Sequence, residues 1–531
     1  MRFISLWRRE RSPDSATVPA WLQMGLLATG LVALSFALQG RIDLNLADEG
    51  FLWYGTWRTA LGEVPLRDFQ SYDPGRYLWG AFWFHVFGND GILALRVSNA
   101  LFQSLGVTCG LLVLRRLTRS PWLLTGGGIV LLFWMFPRHK LFESSLALAA
   151  VYIAVLLIET PSLRQYFISG LFVGFAGFLG RQHGFYTAVS FFLLISFIWL
   201  KFDRQRLRQR GLLWAGGILL GYSPMGIMLV TVPGLWSRFW QSLLFLVRIR
   251  NTNLPLPVPT PWSVPVATLD WLTASHQISV GLGFMLLPVF NGAALIYLLW
   301  QKPKRLQTQS VLIAATFLSL TYSHYAFSRA DLGHLAQGIH PMLLGLMGVV
   351  GYSLRHGWRL WGYGLAWGLT GVTLLGMGLV SPNVIKLRAP AGFYVEQTIR
   401  GDRLYLPQPT AQFIDTIEQF HTRHVSPDEG ILLAPHIPTL YPILERRSPI
   451  WEIYLLFPET QGRQQQIVEQ LREQSVNWVI LGDIALDGRQ ELRFRNTHPL
   501  VWQEFSEQFE PLQSADLPEN YQTLNRIPTI P

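Results

Sequence analysis

Two adjacent carboxylates, Asp48 and Glu49, follow the first long apolar run of the sequence, residues 21–40. A carboxylate held within hydrogen-bond reach of a hydroxyl can remove its proton. One or two carboxylates can also bind Mg²⁺ together with a substrate phosphate. Because charged groups beside a membrane span are costly and tend to mark a site, the pair predicts a reaction site at a membrane surface.

The composition around this pair is that of an integral membrane protein. Half of the 531 residues are hydrophobic, 14% are charged, and the chain contains 21 Trp and 33 Phe. A bilayer is crossed by roughly 20 apolar residues, which must be helical because lipid offers the backbone no other partners. We therefore predict a mainly α, polytopic transmembrane bundle of about eleven spans. They lie near residues 21–40, 91–114, 121–136, 141–158, 165–180, 184–200, 211–233, 277–300, 308–327, 336–354 and 360–381.

Basic residues are concentrated in alternate loops. Lys and Arg accumulate in short cytoplasmic loops, so these loops set the orientation. They are the N-terminus, with Arg2, Arg8, Arg9 and Arg11, and the segments that begin at Arg115, Lys201, Gln301 and Arg355. We expect a multi-pass protein of the inner (plasma) membrane, with its N-terminus inside and its C-terminal tail outside. The first run is longer than a secretory signal core, which favours an uncleaved anchor.

The C-terminal part of the chain differs from the rest. From Lys386 onward there are 13 Lys and Arg against 19 Asp and Glu. GILLAP and VNWVILGD are typical of short buried strands, and the helical segment ETQGRQQQIVEQLREQ separates them. We predict a membrane module at 1–384 with a large first external loop at 41–90. A small soluble α/β domain at 385–531 is expected on the outer face.

Several common kinds of site have no signature in the sequence. We find no phosphate loop, dinucleotide fingerprint, zinc-ligand spacing or nucleophile elbow. The single cysteine, Cys109, lies in a predicted span, so the outer domain contains no disulfide. The chemistry must come from polar groups at the membrane face, and no nucleic-acid partner is expected.

Four polar clusters fall on the predicted outer side. They are Arg67, Asp68, Tyr72, Asp73 and Arg76 beside the acid pair; Arg138, His139 and Lys140 in PRHK; Arg181, Gln182 and His183 in RQHG; and Arg329, Asp331 and His334 in SRADLGH. Carboxylates among such cations suit an anionic substrate, and Arg can bond two phosphate oxygens at once. Structural roles also remain open, because Asp331 and His334 could simply pair and the PRHK side chains could snorkel at a helix end.

Two aromatic segments enclose the charged part of the first loop. GFLWYGTWRTALG places Trp53 and Trp57 four residues apart, and YLWGAFWFHVFG begins at Tyr77. An apolar, aromatic helical face is typical of a helix in the membrane interface plane. We expect two interfacial helices.

These features together resemble the GT-C glycosyltransferases. The acid pair, the two aromatic segments, GEVPLRDF...YDPG and a soluble tail after many spans are similar to the bacterial branch related to protein O-mannosyltransferases and lipid A aminoarabinose transferase. The resemblance is greatest over residues 40–90 and covers the general architecture of the first 380. RQHG and SRADLGHL also resemble external motifs of relatives, whereas Asp73 stands where many relatives have proline.

The resemblance implies a membrane glycosyltransferase. It would move a hexosyl or pentosyl group from a polyprenyl-phosphate donor to a glycan, lipid or protein acceptor on the extracytoplasmic face, usually with inversion. Asp48 would act as general base and Glu49 would orient the acceptor or the base, although the two roles could be exchanged. The candidates for binding substrate and phosphate are Tyr72, Arg76, Arg138, His139, Lys140, Arg181, His183, Arg329 and His334. No cofactor is demanded by the spacing, but Mg²⁺ or Mn²⁺ could bridge carboxylate and phosphate.

Three other functions remain open from the sequence. A lipid-linked glycan transporter or flippase would carry polar residues near span centres and related halves, and no such symmetry is visible. A non-catalytic membrane scaffold for cell-surface polysaccharide assembly would use the tail to bind its partner. Polymerase or ligase chemistry on lipid-linked glycans would use the same membrane face as single-sugar transfer.

Overall fold

The structure is a computed structural model that describes residues 18–248, 254–512 and 517–528. It is mainly helical (69%), with a small sheet region near the C-terminus. The predicted basic N-terminal residues lie outside the described residues.

The secondary structure follows the apolar periodicity of the sequence. The α-helices are, in chain order, α1 (Ala20–Gln39), α2 (Asp48–Ala60), α3 (Pro74–Phe87), α4 (Ile92–Leu117), α5 (Pro121–Phe133), α6 (Leu141–Glu159), α7 (Leu163–Leu179), α8 (Arg181–Lys201), α9 (Leu207–Thr231), α10 (Leu235–Arg248), α11 (Trp271–Trp300), α12 (Pro303–Leu306), α13 (Ser310–Ser328), α14 (Leu332–Gly338), α15 (His340–Arg355), α16 (Arg359–Thr373), α17 (Pro382–Arg388), α18 (Gln408–His424), α19 (Leu440–Ile443), α20 (Gln461–Glu473), α21 (Phe494–Thr497) and α22 (Pro499–Gln508). The strands are β1 (Tyr394–Ile399), β2 (Asp402–Pro407), β3 (Gly430–Ala434), β4 (Val476–Gly482), β5 (Phe509–Leu512) and β6 (Tyr521–Arg526).

The chain forms two compact units. The helical unit comprises Met1–Gly40 and Arg96–Ile385, and the mixed unit comprises Arg41–Leu95 and Lys386–Pro531. The second boundary falls between Ile385 and Lys386. The first loop, however, groups with the tail instead of with the helices that precede and follow it.

Each of the eleven predicted spans is helical, but fewer helices are long and apolar enough to cross a bilayer. Within the described ranges six meet this criterion, or up to eight if each of two bent helix pairs is one span. The helix α14 bends by 58° against α15, and the segment Arg359–Gly378, which contains α16, bends by 64° against α17. The helices α5 and α7 are shorter, and α13 is not among the six. The chain is a polytopic membrane protein, and the expected count of about eleven spans is not confirmed.

Glycines allow two helices of the helical unit to touch through their backbones. A Cβ at Gly170 of α7 would overlap the carbonyl oxygen of Trp214, and a Cβ at Gly217 of α9 would overlap that of Phe167. Small residues permit such close approach in lipid, where apolar surface alone gives helices little reason to associate. This packing accounts for Gly170 and Gly174 of α7 and for Gly217 and Gly221 of α9, where a Cβ would meet the backbone of the other helix.

The mixed unit has one core to which the first loop and the tail both contribute. Leu52 and Trp53 of α2 pack in the same apolar cluster as Tyr441 and Ile480 of the tail. Backbone bonds join the two segments as well, for example from the Asp43 N–H to the Tyr405 carbonyl oxygen at 2.8 Å. The first loop therefore folds as part of the C-terminal domain.

The tail contains a mixed four-stranded sheet in the order β3-β4-β6-β5, and β1 and β2 form a separate antiparallel pair. The strands β3 and β4 are parallel, with Leu432 opposite Val479, and the other pairings in this sheet are antiparallel. The helix α20 lies between β3 and β4 along the chain. A parallel pair needs a long connection, and α20 forms part of that connection. Both predicted strands and their intervening helix are present, which confirms the predicted small α/β region.

The prediction of an interfacial helix is wrong for α2. Trp53 is fully buried and Trp57 is 5% exposed, within nine consecutive buried residues from Glu49 to Trp57. A helix buried on all sides belongs to a core. The helix α3 differs, because its apolar residues include the exposed Phe82 and Val86.

Candidate active site

Asn45 shapes the turn at which α2 begins with the acid pair. Its side-chain oxygen accepts hydrogen bonds from the N–H groups of Ala47 (3.0 Å) and Asp48 (2.7 Å). Its own N–H donates to Oε2 of Glu49 at 3.4 Å. Glu49 is 2% exposed, whereas Asp48 is half-buried. The turn therefore fixes Glu49 in the fold and leaves Asp48 partly accessible to a substrate.

A threonine of the tail holds the same turn. The N–H of Thr439 donates to the carbonyl oxygen of Leu46 at 3.1 Å, and the Thr439 hydroxyl donates to the carbonyl oxygen of Asn45 at 3.0 Å. Gly50 lies directly against Thr439, with no room for a Cβ. Residues distant in sequence thus set the position of the acid pair.

His436 is a candidate that the sequence reasoning missed. Burial lowers the pKa of its imidazole to about 4, against the negative charge of Asp48, which acts to raise it. The imidazole is therefore neutral near pH 7. One signal was available, because His436 follows the carboxyl end of the predicted strand β3, where ligands of α/β sheets commonly bind.

Four rings form a continuous row beside the acid pair, which we call the aromatic row: His436, Tyr454, Phe51 and Tyr72. Successive ring centroids are 5.4, 5.8 and 4.8 Å apart. The guanidinium of Arg76 lies 4.5 Å above the Tyr72 ring, a cation–π distance. Two of the sequence candidates, Tyr72 and Arg76, are thus brought to the helix that carries Asp48 and Glu49.

The RQHG and SRADLGH motifs come together in the helical unit. Tyr325 of α13 lies between them, with its ring centroid 5.4 Å from that of His183 and 5.4 Å from that of His334. The hydroxyl of Tyr325 donates to Oε1 of Gln337 at 2.8 Å. Tyr325 therefore brings side chains of the two motifs together within the helical unit.

Asp331 pairs with both basic side chains of its own motif. Its carboxylate lies 2.7 Å from Nε of Arg329 and 2.9 Å from Nδ1 of His334, and it caps α14 by accepting from the His334 N–H. Burial acts to raise the pKa of Asp331, but the hydrogen bond and charge of His334, with the charge of Arg329, hold that pKa below its ordinary value. The pairing considered from the sequence is therefore present.

The remaining basic candidates are also held by the helical unit. Arg181 begins α8 and donates from Nη1 to the hydroxyl of Ser242 on α10 at 2.5 Å. Arg138 begins a short 3₁₀ turn, Arg138–Lys140, in which His139 is buried and Lys140 is half-buried. Nη1 of Arg138 donates to the Gln39 carbonyl oxygen at 3.4 Å. Arg181 is thus oriented by α10, and Arg138 by the end of α1.

Within the described parts of the chain, no group of three or more His, Cys, Asp or Glu side chains could hold a metal ion. A divalent cation fits Asp48 and Glu49 only if a substrate supplies further ligands, as phosphate commonly does for Mg²⁺.

The comparisons with known proteins are informative for the fold. No family model matches the sequence, and no curated protein is detectably similar to it in sequence. ArnT from Cupriavidus metallidurans bound to undecaprenyl phosphate matches with a TM-score of 0.50 and 13% identity, over 96% of this chain and 99% of that chain. The apo structure of the same ArnT matches with a TM-score of 0.49 and 12% identity, over 95% of this chain and 97% of that chain. Oligosaccharyltransferase AglB from Archaeoglobus fulgidus, in complex with an inhibitory peptide and a dolichol-phosphate, matches with a TM-score of 0.43 and 12% identity, over 94% of this chain and 75% of that chain.

The chain therefore has the fold of the GT-C membrane glycosyltransferases. The particular solved protein that carries this comparison is ArnT, a lipid A aminoarabinose transferase, matched over nearly the whole of both chains. The resemblance predicted from residues 40–90 is confirmed at the level of the fold.

Proposed function

We propose that the protein is a glycosyltransferase that moves a sugar from a polyprenyl-phosphate donor to an acceptor hydroxyl. The observation that carries the proposal is the acid pair at the start of α2, with Glu49 buried and Asp48 half-buried, in a chain with the ArnT fold. The ArnT structure contains undecaprenyl phosphate, which supports a donor of that chemical class. The acceptor is a glycan, a lipid or a protein.

The proposed reaction is a single displacement with inversion. The acceptor oxygen forms a bond to the anomeric carbon while the bond from that carbon to the phosphate oxygen breaks, and the bonding electrons leave with the lipid phosphate. The proton of the acceptor hydroxyl passes to Asp48, because a carboxylate in hydrogen-bond reach can serve as general base. Glu49, held by the Asn45 N–H at 3.4 Å, orients the acceptor or Asp48.

Departure of the lipid phosphate needs fixed cations. We propose Arg329, which is oriented by Asp331, and Arg181, which is oriented by Ser242, for this role, with His334 as a further phosphate-binding candidate beside Asp331. Pre-positioned charges stabilise a developing negative charge better than mobile water does. His183, Arg138, His139 and Lys140 are the second group of phosphate-binding candidates, and Tyr72 and Arg76 are those of the mixed unit.

The proposed location follows from the positive-inside rule. On this rule the basic loops favour a reaction on the outer face of the inner membrane, with the C-terminal domain on the same side. Cysteine-accessibility labelling of residue 415, on α18, from each side of the membrane tests this orientation.

The test of the function is reconstitution of the full chain in liposomes with undecaprenyl-phosphate sugars. Release of undecaprenyl phosphate is measured for wild type, Asp48→Asn and a matched control, Asp415→Asn, which alters an exposed carboxylate of the tail. General-base catalysis typically contributes about 10²- to 10⁴-fold, so Asp48→Asn should lose about that factor and Asp415→Asn none. Turnover that survives Asp48→Asn would remove Asp48 as base. Transbilayer movement of the lipid-linked sugar without release would indicate a flippase instead.

Metal dependence is a separate part of the proposal. Mg²⁺ or Mn²⁺ would be held by Asp48 and Glu49 with oxygens of the donor phosphate, and it would neutralise phosphate charge. Release measured with EDTA, and then with Mg²⁺ or Mn²⁺ restored, decides this point. Unchanged release in EDTA would exclude the metal.

A further inference from the structure

The aromatic row has a composition and arrangement suited to a carbohydrate. His436, Tyr454 and Tyr72 are half-buried and thus retain exposed area, whereas Phe51 between them is 5% exposed. None of the three ring pairs is a parallel stack, since their interplanar angles are 75°, 51° and 66°. The rings therefore do not cover one another face to face.

Charged groups lie at both ends of the row. The charge of Asp48 acts on the ring of His436, and the guanidinium of Arg76 lies over Tyr72 at 4.5 Å. Sugar rings have apolar C–H faces that pack on aromatic rings and hydroxyls around their edge that bond to carboxylates and guanidinium groups. Ligand sites in general combine aromatic walls with a few placed polar groups.

The row is also held firmly by backbone contacts. The N–H of Tyr454 donates to the side-chain oxygen of Gln70 at 3.0 Å, and the N–H of Gln70 donates to the Trp451 carbonyl oxygen at 2.8 Å. The N–H of Tyr72 donates to the hydroxyl of Tyr77 at 3.0 Å. A platform whose ring positions are set in advance loses little conformational entropy on binding.

We infer that the aromatic row binds a sugar ring of the transfer reaction, so that His436 and Tyr454 make the C-terminal domain part of the substrate site. This inference deepens the proposed glycosyl transfer and rests on it for the identity of the reaction. The sugar belongs either to the donor or to the acceptor, because both would present the same ring chemistry next to Asp48. His436 and Tyr454 act as positioning residues, and the proton transfer remains with Asp48.

Binding can be tested without turnover. Saturation-transfer NMR is recorded on the full chain in nanodiscs with methyl α-mannoside, methyl β-glucoside and methyl α-arabinoside. The variant Tyr454→Leu removes the ring, Tyr454→Phe keeps it, and Tyr394→Leu is a matched control on β1, where the ring is half-buried. An aromatic contact of this kind is worth about fivefold to tenfold in affinity, so Tyr454→Leu should reduce saturation of the sugar C–H protons by about that factor. Tyr454→Phe and Tyr394→Leu should retain it.

Two results would overturn the inference: equal saturation in Tyr454→Leu and wild type, or no saturation of any glycoside by wild type. If Tyr454→Leu does not fold, as judged by thermal unfolding, the same saturation measurement is made on His436→Asn, with the exposed His424→Asn as its control. His436→Asn should then lower saturation and His424→Asn should not.

Kinetics separate this inference from the proposed function. If wild type releases undecaprenyl phosphate, Tyr454→Leu should raise the KM of either donor or acceptor while kcat changes little, and the substrate affected identifies the sugar. Unchanged KM values for both would overturn the inference while the proposed function stands. If wild type releases nothing, the proposed function fails, and the glycoside signal still decides whether the row binds sugar.

Discussion

Gly50 of α2 lies against the backbone of Thr439, a residue of the C-terminal domain, so closely that a Cβ at position 50 would come within 2.6 Å of Thr439 Cα. Thr439 at the same time donates to the carbonyl oxygens of Asn45 and Leu46. The turn that presents Asp48 is therefore shaped by a residue almost 400 positions away in the chain. This relationship makes the acid pair sensitive to changes in the tail.

Gly50→Ala should destabilise the mixed unit by about 2–3 kcal/mol, because overpacking against backbone atoms cannot be relieved by rotating a side chain. Thermal unfolding monitored by tryptophan fluorescence measures the change. Gly462→Ala is the control, since a Cβ there meets nothing within 4 Å on the helix α20. A Gly50→Ala protein as stable as Gly462→Ala would contradict the close contact.

Thr439→Val should cost about 1 kcal/mol, the usual net worth of one hydrogen bond, because the hydroxyl that donates to the Asn45 carbonyl oxygen is lost. We expect kcat to fall more than KM changes, since the substitution disturbs the placement of Asp48. Thr439→Ser keeps the donor and should restore kcat. Equal kcat values for the Val and Ser variants would show that this bond does not position the base.

Arg329→Lys should raise the KM for the polyprenyl-phosphate donor by about tenfold, because Lys cannot reproduce the planar fork of Arg. Arg329 uses that fork to contact Asp331 from Nε and the Leu254 carbonyl oxygen from Nη1. Donor KM measured in liposomes tests this prediction. Arg305→Lys alters an exposed Arg and should leave KM unchanged. A donor KM in Arg329→Lys equal to that of Arg305→Lys would exclude Arg329 from phosphate binding.

The tail should lose stability as pH falls from about 6.5 to 4. Burial, with a smaller contribution from the nearby His436, lowers the pKa of His498 to about 4. Because that pKa lies below the ordinary value of 6.5, the unfolded chain binds more protons in this window, and stability is complete only above it. For the fully buried His498 this corresponds to about 3 kcal/mol.

Hydrogen exchange of tail peptides in the full chain, compared at high and low pH, measures this loss. His498→Gln removes one of the two tail histidines whose pKa lies at about 4, the other being His436, and should reduce the pH dependence by the share of His498. The exposed His424→Gln should not reduce it. An unchanged pH dependence in His498→Gln would show that protonation of His498 does not drive it.

Local patterns in the sequence predicted much of the fold. The apolar run of α11 and the short apolar strands β3 and β4 are each visible within a few residues, because hydropathy and periodicity act locally. The aromatic stripe of α2 was misread for a physical reason. A Trp side chain is stabilised in either apolar environment. The four-residue spacing of Trp53 and Trp57 therefore does not distinguish a membrane interface from a protein core.

The sequence by itself determined the membrane class, the helical segments, the acid pair and the resemblance to GT-C enzymes, since all of these are carried by composition or by short contiguous motifs. Only the tertiary structure decided that the first loop shares its core with the tail, that Thr439 holds the turn before Asp48, and that His436 and Tyr454 join the aromatic row. Those relationships depend on contacts between residues hundreds of positions apart. No local pattern encodes which distant segment will meet α2, because that choice is made by the packing of the whole unit.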